Sequence, residues 1–308
     1  MPQSWLLRDR ELSLAHPLVM GIVNVTPDSF SDGGEFFVAE AAVAQGRRLL
    51  AEGADILDVG GESTRPQSAE PVPVDEELRR VLPVVRALMA ERPEGIVSVD
   101  TVKATVAEAA VEAGAQIVND VSGLSLDSAM ADVCARTGAG VVVMHSRGGV
   151  SDMATYAHAS YSSFLDEMLG ELRERVEAAE SAGVRRERIA VDPGIGFSKR
   201  PEHSLLALAC LERLVAWGYP VVVGASRKRF IGQLTGSPEP SQRAAGSVGA
   251  AVAAYDRGAH VLRVHDVPST RQALDVACAI RDAGIRDSGV GATSVGVPDV
   301  RPAGAASA

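Results

Sequence analysis

The chain has 308 residues, 46% of them hydrophobic and only 4% aromatic, enough aliphatic side chain to fill a large core and too much for a disordered segment. A formal net charge of -10 sets the surface against polyanions such as nucleic acid, while leaving room for a local basic site that takes a small anion. The three cysteines, Cys134, Cys210 and Cys278, are odd in number and far apart, so neither a disulfide framework nor a metal cluster is indicated. No apolar run reaches membrane-spanning length, and residues 1–18 lack a signal-type core. The expectation is a soluble, cytoplasmic protein with no membrane or nucleic-acid partner.

Taken in order, short β-rich runs alternate with longer amphipathic ones. An apolar run over 17–25 empties into Thr26, Pro27, Asp28, Ser29 and Phe30 and then Asp32-Gly33-Gly34, a strand meeting strong turn signals with Asn24 at the junction. A helix is expected over 38–52, ending at Gly53. The second strand, 55–61, opens into Glu62-Ser63-Thr64-Arg65-Pro66 and is followed by a helix over 75–91. Strands over 96–100 and 116–120 precede helices over 102–112 and 126–136, each closed by a glycine. A fifth strand, 140–144, ends in His145-Ser146-Arg147 before a charged helix over 164–182. The sixth, 188–191, runs into Asp192-Pro193-Gly194-Ile195-Gly196-Phe197, then a helix over 201–217. The seventh, 220–224, ends in Ser226-Arg227-Lys228-Arg229 before a small-residue helix over 242–257, and the eighth, 260–264, ends in His265-Asp266 before a helix over 270–283.

Eight such units predict a single-domain α/β protein, a (β/α)₈ barrel over residues 1–285. An open doubly wound sheet is the alternative, but no Gly-x-Gly-x-x-Gly follows the first strand. Residues 286–308, rich in Gly, Ser, Ala and Pro without periodicity, are expected to be a disordered tail.

In a barrel of this kind the loops after the strands form one face that carries the chemistry. Asn24, Arg65, Asp100, Asn119, Asp192, Lys228, Arg263 and His265 would therefore meet at one mouth. Singly, each has a blander reading: Asp100 as a cap of the following helix, a loop Arg or Lys as merely solvated. Together they divide in two. Asp100, Asn119 and Asp192 would form a polar patch suited to a flat heterocycle whose donor edges face carboxylates. Arg65, Arg263 and His265 would form a cationic set suited to phosphate, since guanidinium forks match phosphate oxygens. His16, His158 and His203 lie away from strand ends and read as surface or cap residues, and Trp217 and Met168 as packing.

Several stretches carry a family resemblance: 20–34 with Asn24-Val25-Thr26-Pro27-Asp28-Ser29-Phe30, Asp58-Val59-Gly60-Gly61-Glu62-Ser63-Thr64-Arg65-Pro66, Ser98-Val99-Asp100-Thr101, Asn119-Asp120-Val121-Ser122-Gly123, Asp192-Pro193-Gly194-Ile195-Gly196-Phe197, Ser226-Arg227-Lys228-Arg229 and Arg263-Val264-His265-Asp266-Val267. In order and spacing over 17–283 the chain resembles the bacterial dihydropteroate synthases, the pterin-binding family. The resemblance implies a folate-pathway transferase that joins 4-aminobenzoate to the dihydropterin-6-ylmethyl group of its diphosphate ester with Mg²⁺. It implies that Asp100, Asn119, Asp192 and Lys228 serve the pterin and the chemistry. Asn24, Arg263 and His265 would hold the diphosphate, Asn24 with the metal. Thr64, Arg65, Pro66, Phe197 and Arg229 would shape the aminobenzoate site, with Met144 among the substrate-binding residues. The stretch 26–30 would be a lid closing against 63–66, and two copies would pair through the last helices.

Two departures stand out: Gln67 where the family commonly has glycine, stiffening that loop, and Arg229 where many members have serine, adding a cation beside the aminobenzoate carboxylate. Sulfonamides, which compete with 4-aminobenzoate in the family, would meet the same loops. The alternatives are a non-catalytic pterin-binding paralogue and a barrel methyltransferase acting on folate and a corrinoid protein. The first-loop sequence and Arg263-Val264-His265 weigh against the methyltransferase.

Overall fold

The computed structural model describes residues 2–26, 35–63 and 71–287. It opens with an antiparallel hairpin absent from the sequence reading, β1 (Ser4–Leu6) with β2 (Glu11–Ser13). Eight strands then follow in one parallel sheet: β3 (Leu18–Asn24), β4 (Ile56–Gly60), β5 (Val97–Asp100), β6 (Ile117–Asp120), β7 (Gly140–Met144), β8 (Ile189–Asp192), β9 (Val222–Val223) and β10 (Val261–Val264). β3 pairs with both β4 and β10, so first and last strands are neighbours. The remaining seam, β8 to β9, is closed by the parallel bridge Val191↔Val221, with the Val191 N–H donating to the Pro220 carbonyl at 2.9 Å. This is the expected barrel.

The helices are α1 (Glu35–Ala51), α2 (Val74–Glu91), α3 (Ala104–Glu112), α4 (Met130–Thr137), α5 (Phe164–Ser181), α6 (Pro201–Ala209), α7 (Leu211–Val215), α8 (Arg229–Thr235), α9 (Ala244–Asp256) and α10 (Val267–Asp287). Four details differ from expectation. α4 begins at Met130, and Asp127 serves two helices: its Oδ2 accepts from the Ala104 N–H at 2.8 Å and caps α3, while its Oδ1 accepts from the Ala129 N–H at 3.0 Å just ahead of α4. Hence Asp100 is not the cap of α3. The helix expected over 201–217 breaks at Cys210, and α8 was not anticipated. α10 runs to Asp287, past the predicted domain end at 285, and the tail from 288 lies outside the described residues.

The strands bury both faces by the period of two that a pleat imposes. Outward side chains such as Val19, Leu57, Val97, Val118, Val141, Ile189 and Leu262 pack under the helix ring. Inward ones, Met20, Ile56, Ile96, Ile117, Val142, Ala190, Val222 and Val261, fill the lower barrel. Trp5 and Leu7 of the hairpin, both fully buried, plug its base. The Trp5 indole N–H donates to the Arg188 carbonyl at 2.8 Å. Gly140 makes room for that plug, since a Cβ there would lie 2.7 Å from Leu7 Cδ2.

Candidate active site

The alternation that packs the base also builds the mouth. On five of the eight strands the inward position turns polar two residues above the base: Ile56 gives way to Asp58, Ile117 to Asn119, Ala190 to Asp192, Val261 to Arg263, and Ile96 to Ser98 and then Asp100. A cavity opens at this level, lined by Asp100, Asn119, Met144, Asp192, Phe197, Lys228 and Arg263, together with Val121, Ile195 and Gly224. Seven of the predicted site residues, from six strands or their exits, thus share one space.

Arg263 organises its floor. Its Nε donates to Asp58 Oδ2 at 2.6 Å and its Nη2 to Asp100 Oδ2 at 2.6 Å. Asp58 Oδ2 also accepts from Asn119 Nδ2 at 3.0 Å, which leaves the Asn119 carbonyl oxygen as the amide's acceptor. Burial disfavours the Arg263 charge, but the two carboxylates outweigh it and hold its pKa above the ordinary value. Burial pushes Asp100 up to about 7 against the pull of Arg263. It pushes Asp192 up to about 6, opposed by the Gly194 N–H, 2.6 Å from Oδ1, and by Lys228. Lys228 is lowered to about 8, by burial first and by Arg263 next, while Asp192 and Asp100 support its charge. Its Nζ lies 3.9 Å from the Phe197 ring centroid. Phe197, Met144 and Val121 join Val102 and Met153 in an apolar cluster beside this polar floor. The result is a slot with carboxylate and amide acceptors, one ammonium donor and apolar walls, chemistry that suits a flat heterocycle with several N–H groups.

The other candidates sit around the rim. Asn24 is the last residue of β3, in register with Gly60. His265 follows β10 with Nδ1 3.0 Å from Ser226 Oγ. Arg229 begins α8, its Nη2 donating to the Ala154 carbonyl at 2.6 Å and its guanidinium 4.3 Å from the Tyr156 ring. Arg263 is paired with the carboxylates of Asp58, wholly buried, and Asp100, the first of which requires a counter-charge. Thr26 is described, whereas Pro27, Asp28, Ser29 and Phe30, and Thr64, Arg65 and Pro66, lie outside the described residues, so neither the lid nor its counterpart is placed. Asp58 was missed by the sequence reading. Its signal was parity: an acid two residues beyond Ile56 in an apolar strand faces the same interior. The bland readings elsewhere hold, with His203 Nδ1 accepting the Arg200 N–H at 3.3 Å as a helix cap and His158 paired to Asp152 at 2.8 Å.

Residues 20–265 match the family of pterin binding enzymes. The chain belongs to that family. Dihydropteroate synthase of Escherichia coli (strain K12) is 44% identical over 272 residues, covering 88% of this chain and 94% of that protein. A probable bifunctional folylpolyglutamate synthase/dihydropteroate synthase of Haloferax volcanii is 46% identical over 264 residues, which are 86% of this chain but 30% of that longer protein. Among solved structures, Xanthomonas albilineans dihydropteroate synthase with 4-aminobenzoic acid superposes with a TM-score of 0.84 at 48% identity, covering 91% of this chain and 99% of that one. The barrel mouth of this pterin-binding enzyme is thus the floor described above.

Proposed function

We propose that the protein condenses (7,8-dihydropterin-6-yl)methyl diphosphate with 4-aminobenzoate, giving 7,8-dihydropteroate and pyrophosphate. The observation that carries this reading is the acceptor-rich floor of Asp100, Asn119 and Asp192 beside a single ammonium, Lys228, in one cavity. A dihydropterin offers the complement: amino and ring N–H donors on one edge, a ring carbonyl and nitrogen for Lys228 on the other. The agreement with dihydropteroate synthases over nearly their whole length supports the same conclusion.

The chemistry follows from the charges. The C–O bond to the diphosphate breaks with its electron pair leaving on pyrophosphate, and the pterin methylene is left cationic, delocalised into the ring. Ionised Asp100 and Asp192 stabilise that positive ring. Arg263 and His265, with Arg65, would supply positive charge for the departing anion. The arylamine lone pair of 4-aminobenzoate then forms the C–N bond, and the nitrogen loses its proton to solvent. Neutral arylamine is already a nucleophile, so the chain supplies positioning, electrostatics and exclusion of water rather than a covalent intermediate or a general base. Phe197 forms a wall of the arylamine site and Arg229 stands ready for its carboxylate.

Mg²⁺ fits the donors at the mouth. Among the described residues no group of three or more His, Cys, Asp or Glu could hold a metal, and Asn24 offers one amide oxygen at the end of β3. A hard cation that takes few protein oxygens and keeps its phosphate and water ligands suits that sparse set. Bound there with the diphosphate, it would neutralise charge on the leaving group. A homodimer through the last helices is supported by α10, where Val276 and Ile280 are 56% and 68% exposed. Unpaired cysteines fit a reducing cytoplasm, and no helix among the described residues is long and apolar enough to cross a membrane.

The deciding experiment supplies purified protein with both substrates, with and without Mg²⁺. Dihydropteroate and pyrophosphate should appear together and only with all three. Folded protein that binds the pterin yet forms neither product would end the enzymatic reading.

A further inference from the structure

β7 and β8 end side by side, and the two segments leaving them are strapped together behind the cavity. The His145 N–H donates to the Asp192 carbonyl at 3.0 Å. Ser198, fully buried and left-handed at φ 47°, accepts the Arg147 N–H at 2.8 Å and donates back to the Arg147 carbonyl at 2.6 Å. Gly194 turns at φ 67° with its Cα so close to the His145 carbonyl that a Cβ would lie 1.9 Å from the oxygen. At the centre of this seam is Lys199, 1% exposed, to which the proposed reaction gives no part.

Its contacts fix its role. Nζ reaches His145 Nδ1 at 2.7 Å, the Phe197 carbonyl at 3.0 Å and the His145 carbonyl at 3.3 Å. His145 is itself fully buried, and its Nε2 lies 3.0 Å from Glu171 Oε2. Glu171 also accepts from Arg147 Nε at 3.0 Å. A carboxylate held by a guanidinium accepts and does not donate, so Nε2 carries the imidazole proton and Nδ1 presents its lone pair to Lys199. The three partners of Nζ are then all acceptors, which matches the three N–H bonds of an ammonium. Burial pushes its pKa well below the ordinary lysine value, against the pull of Asp192 and Glu171.

We infer that Lys199, its imidazole partner oriented by Glu171, is a positioning residue for the arylamine: it holds the Phe197 backbone, and with it the wall against which the second substrate is placed. This rests on the arylamine site proposed above. Most of the pterin floor stands off this strap: Asn119 and Arg263 are on other strands and Lys228 follows β9, while Asp192 joins it through its backbone carbonyl and keeps its Oδ1 on the Gly194 N–H. Replacing Lys199 by methionine keeps the volume but leaves two buried carbonyls and an imidazole nitrogen without their donor. The segment must then shift, and a small displacement of a positioning wall is costly in rate.

The experiment measures pterin binding by calorimetry and steady-state kinetics in both substrates for wild type, Lys199→Met and Glu171→Gln. Expected for Lys199→Met is a KM for 4-aminobenzoate raised about tenfold or more, with pterin affinity within about twofold of wild type. Glu171→Gln, altered at the solvent-exposed end of the chain of contacts, should show the same split with smaller amplitude, and it decides the matter if Lys199→Met does not fold. Folded variants with an unchanged KM for 4-aminobenzoate overturn the inference. So does a fall in pterin affinity by the same factor as arylamine affinity, the mark of a general structural role. A wild type that makes no dihydropteroate overturns the functional reading instead, whereas an active wild type beside an unaltered Lys199→Met overturns only the role of the lysine.

Discussion

Arg263 is the residue on which the barrel mouth depends, because it satisfies two carboxylates at once. Asp58 is completely buried, and its Oδ2 is shared by Arg263 Nε and Asn119 Nδ2. Arg263→Leu would leave that carboxylate without its counter-charge, and breaking a buried pair from one side costs about 3–5 kcal/mol. Urea denaturation of the free protein should show a loss of that order, and a loss below about 1 kcal/mol would contradict the ion-pair account. At Asp192 the expected effect is on function. Asp192→Asn keeps the Gly194 N–H contact but removes the charge facing the pterin, so turnover should fall by about a hundredfold or more. Asp100, Asn119 and Asp192 were legible in the sequence because each stands at the end of an apolar run, and Lys228 because it sits in the polar cluster that follows one. Asp58 was not, since it sits inside the run, and only its parity with Ile56 gives it away. Lys199 carries no local signal and His145 only its place after a strand, for their contacts are with each other across 54 residues.

The strand-to-helix alternation was the most readable level, yet the barrel's base is closed by an element that the alternation does not contain. The N-terminal hairpin is short and polar at its turn, and its most deeply buried residues are Trp5 and Leu7. In the fold these two fill the base of the barrel, in a space that Gly140 keeps open. Trp5→Ala should therefore destabilise the protein by about 3–5 kcal/mol, the usual range for losing a large buried aromatic. Pterin affinity should stay unchanged, because the polar layer lies above the apolar one. Equal losses in stability and in affinity would show that the two layers are not independent. The helix starts that moved have a common cause. Asp127 caps α3 with Oδ2 while its Oδ1 takes the Ala129 N–H ahead of α4, and how a side chain divides itself between local and distant partners is invisible to periodicity.

For the molecule as a whole, the closed barrel gathers several charges into one dry mouth, and this links its pH response to its ligand. Burial raises Asp100 to about 7 and Asp192 to about 6. A carboxyl raised above its unfolded value holds its proton more readily in the fold, so its stabilising contribution is full at acid pH and is lost as pH rises through the folded value. The free protein should accordingly give up stability from about pH 4 to about pH 7, and Asp192→Asn should flatten part of that slope. Pterin, held by the ionised forms, should bind more tightly over the same window. Calorimetric titrations at about pH 5 and about pH 8 test this, and affinity that is flat or falls with rising pH would reject it. The sequence alone determined the number and order of strand-helix units and the polar residues at strand ends. Those follow from turn chemistry and a side-chain period that repeats within a few residues. Only the tertiary structure decided which groups meet. Arg263 and Asp58 are 205 residues apart, and Trp5 and Arg188 are 183 apart. Such pairs exist because the sheet closes on itself and the hairpin plugs its base, conditions that no local pattern encodes.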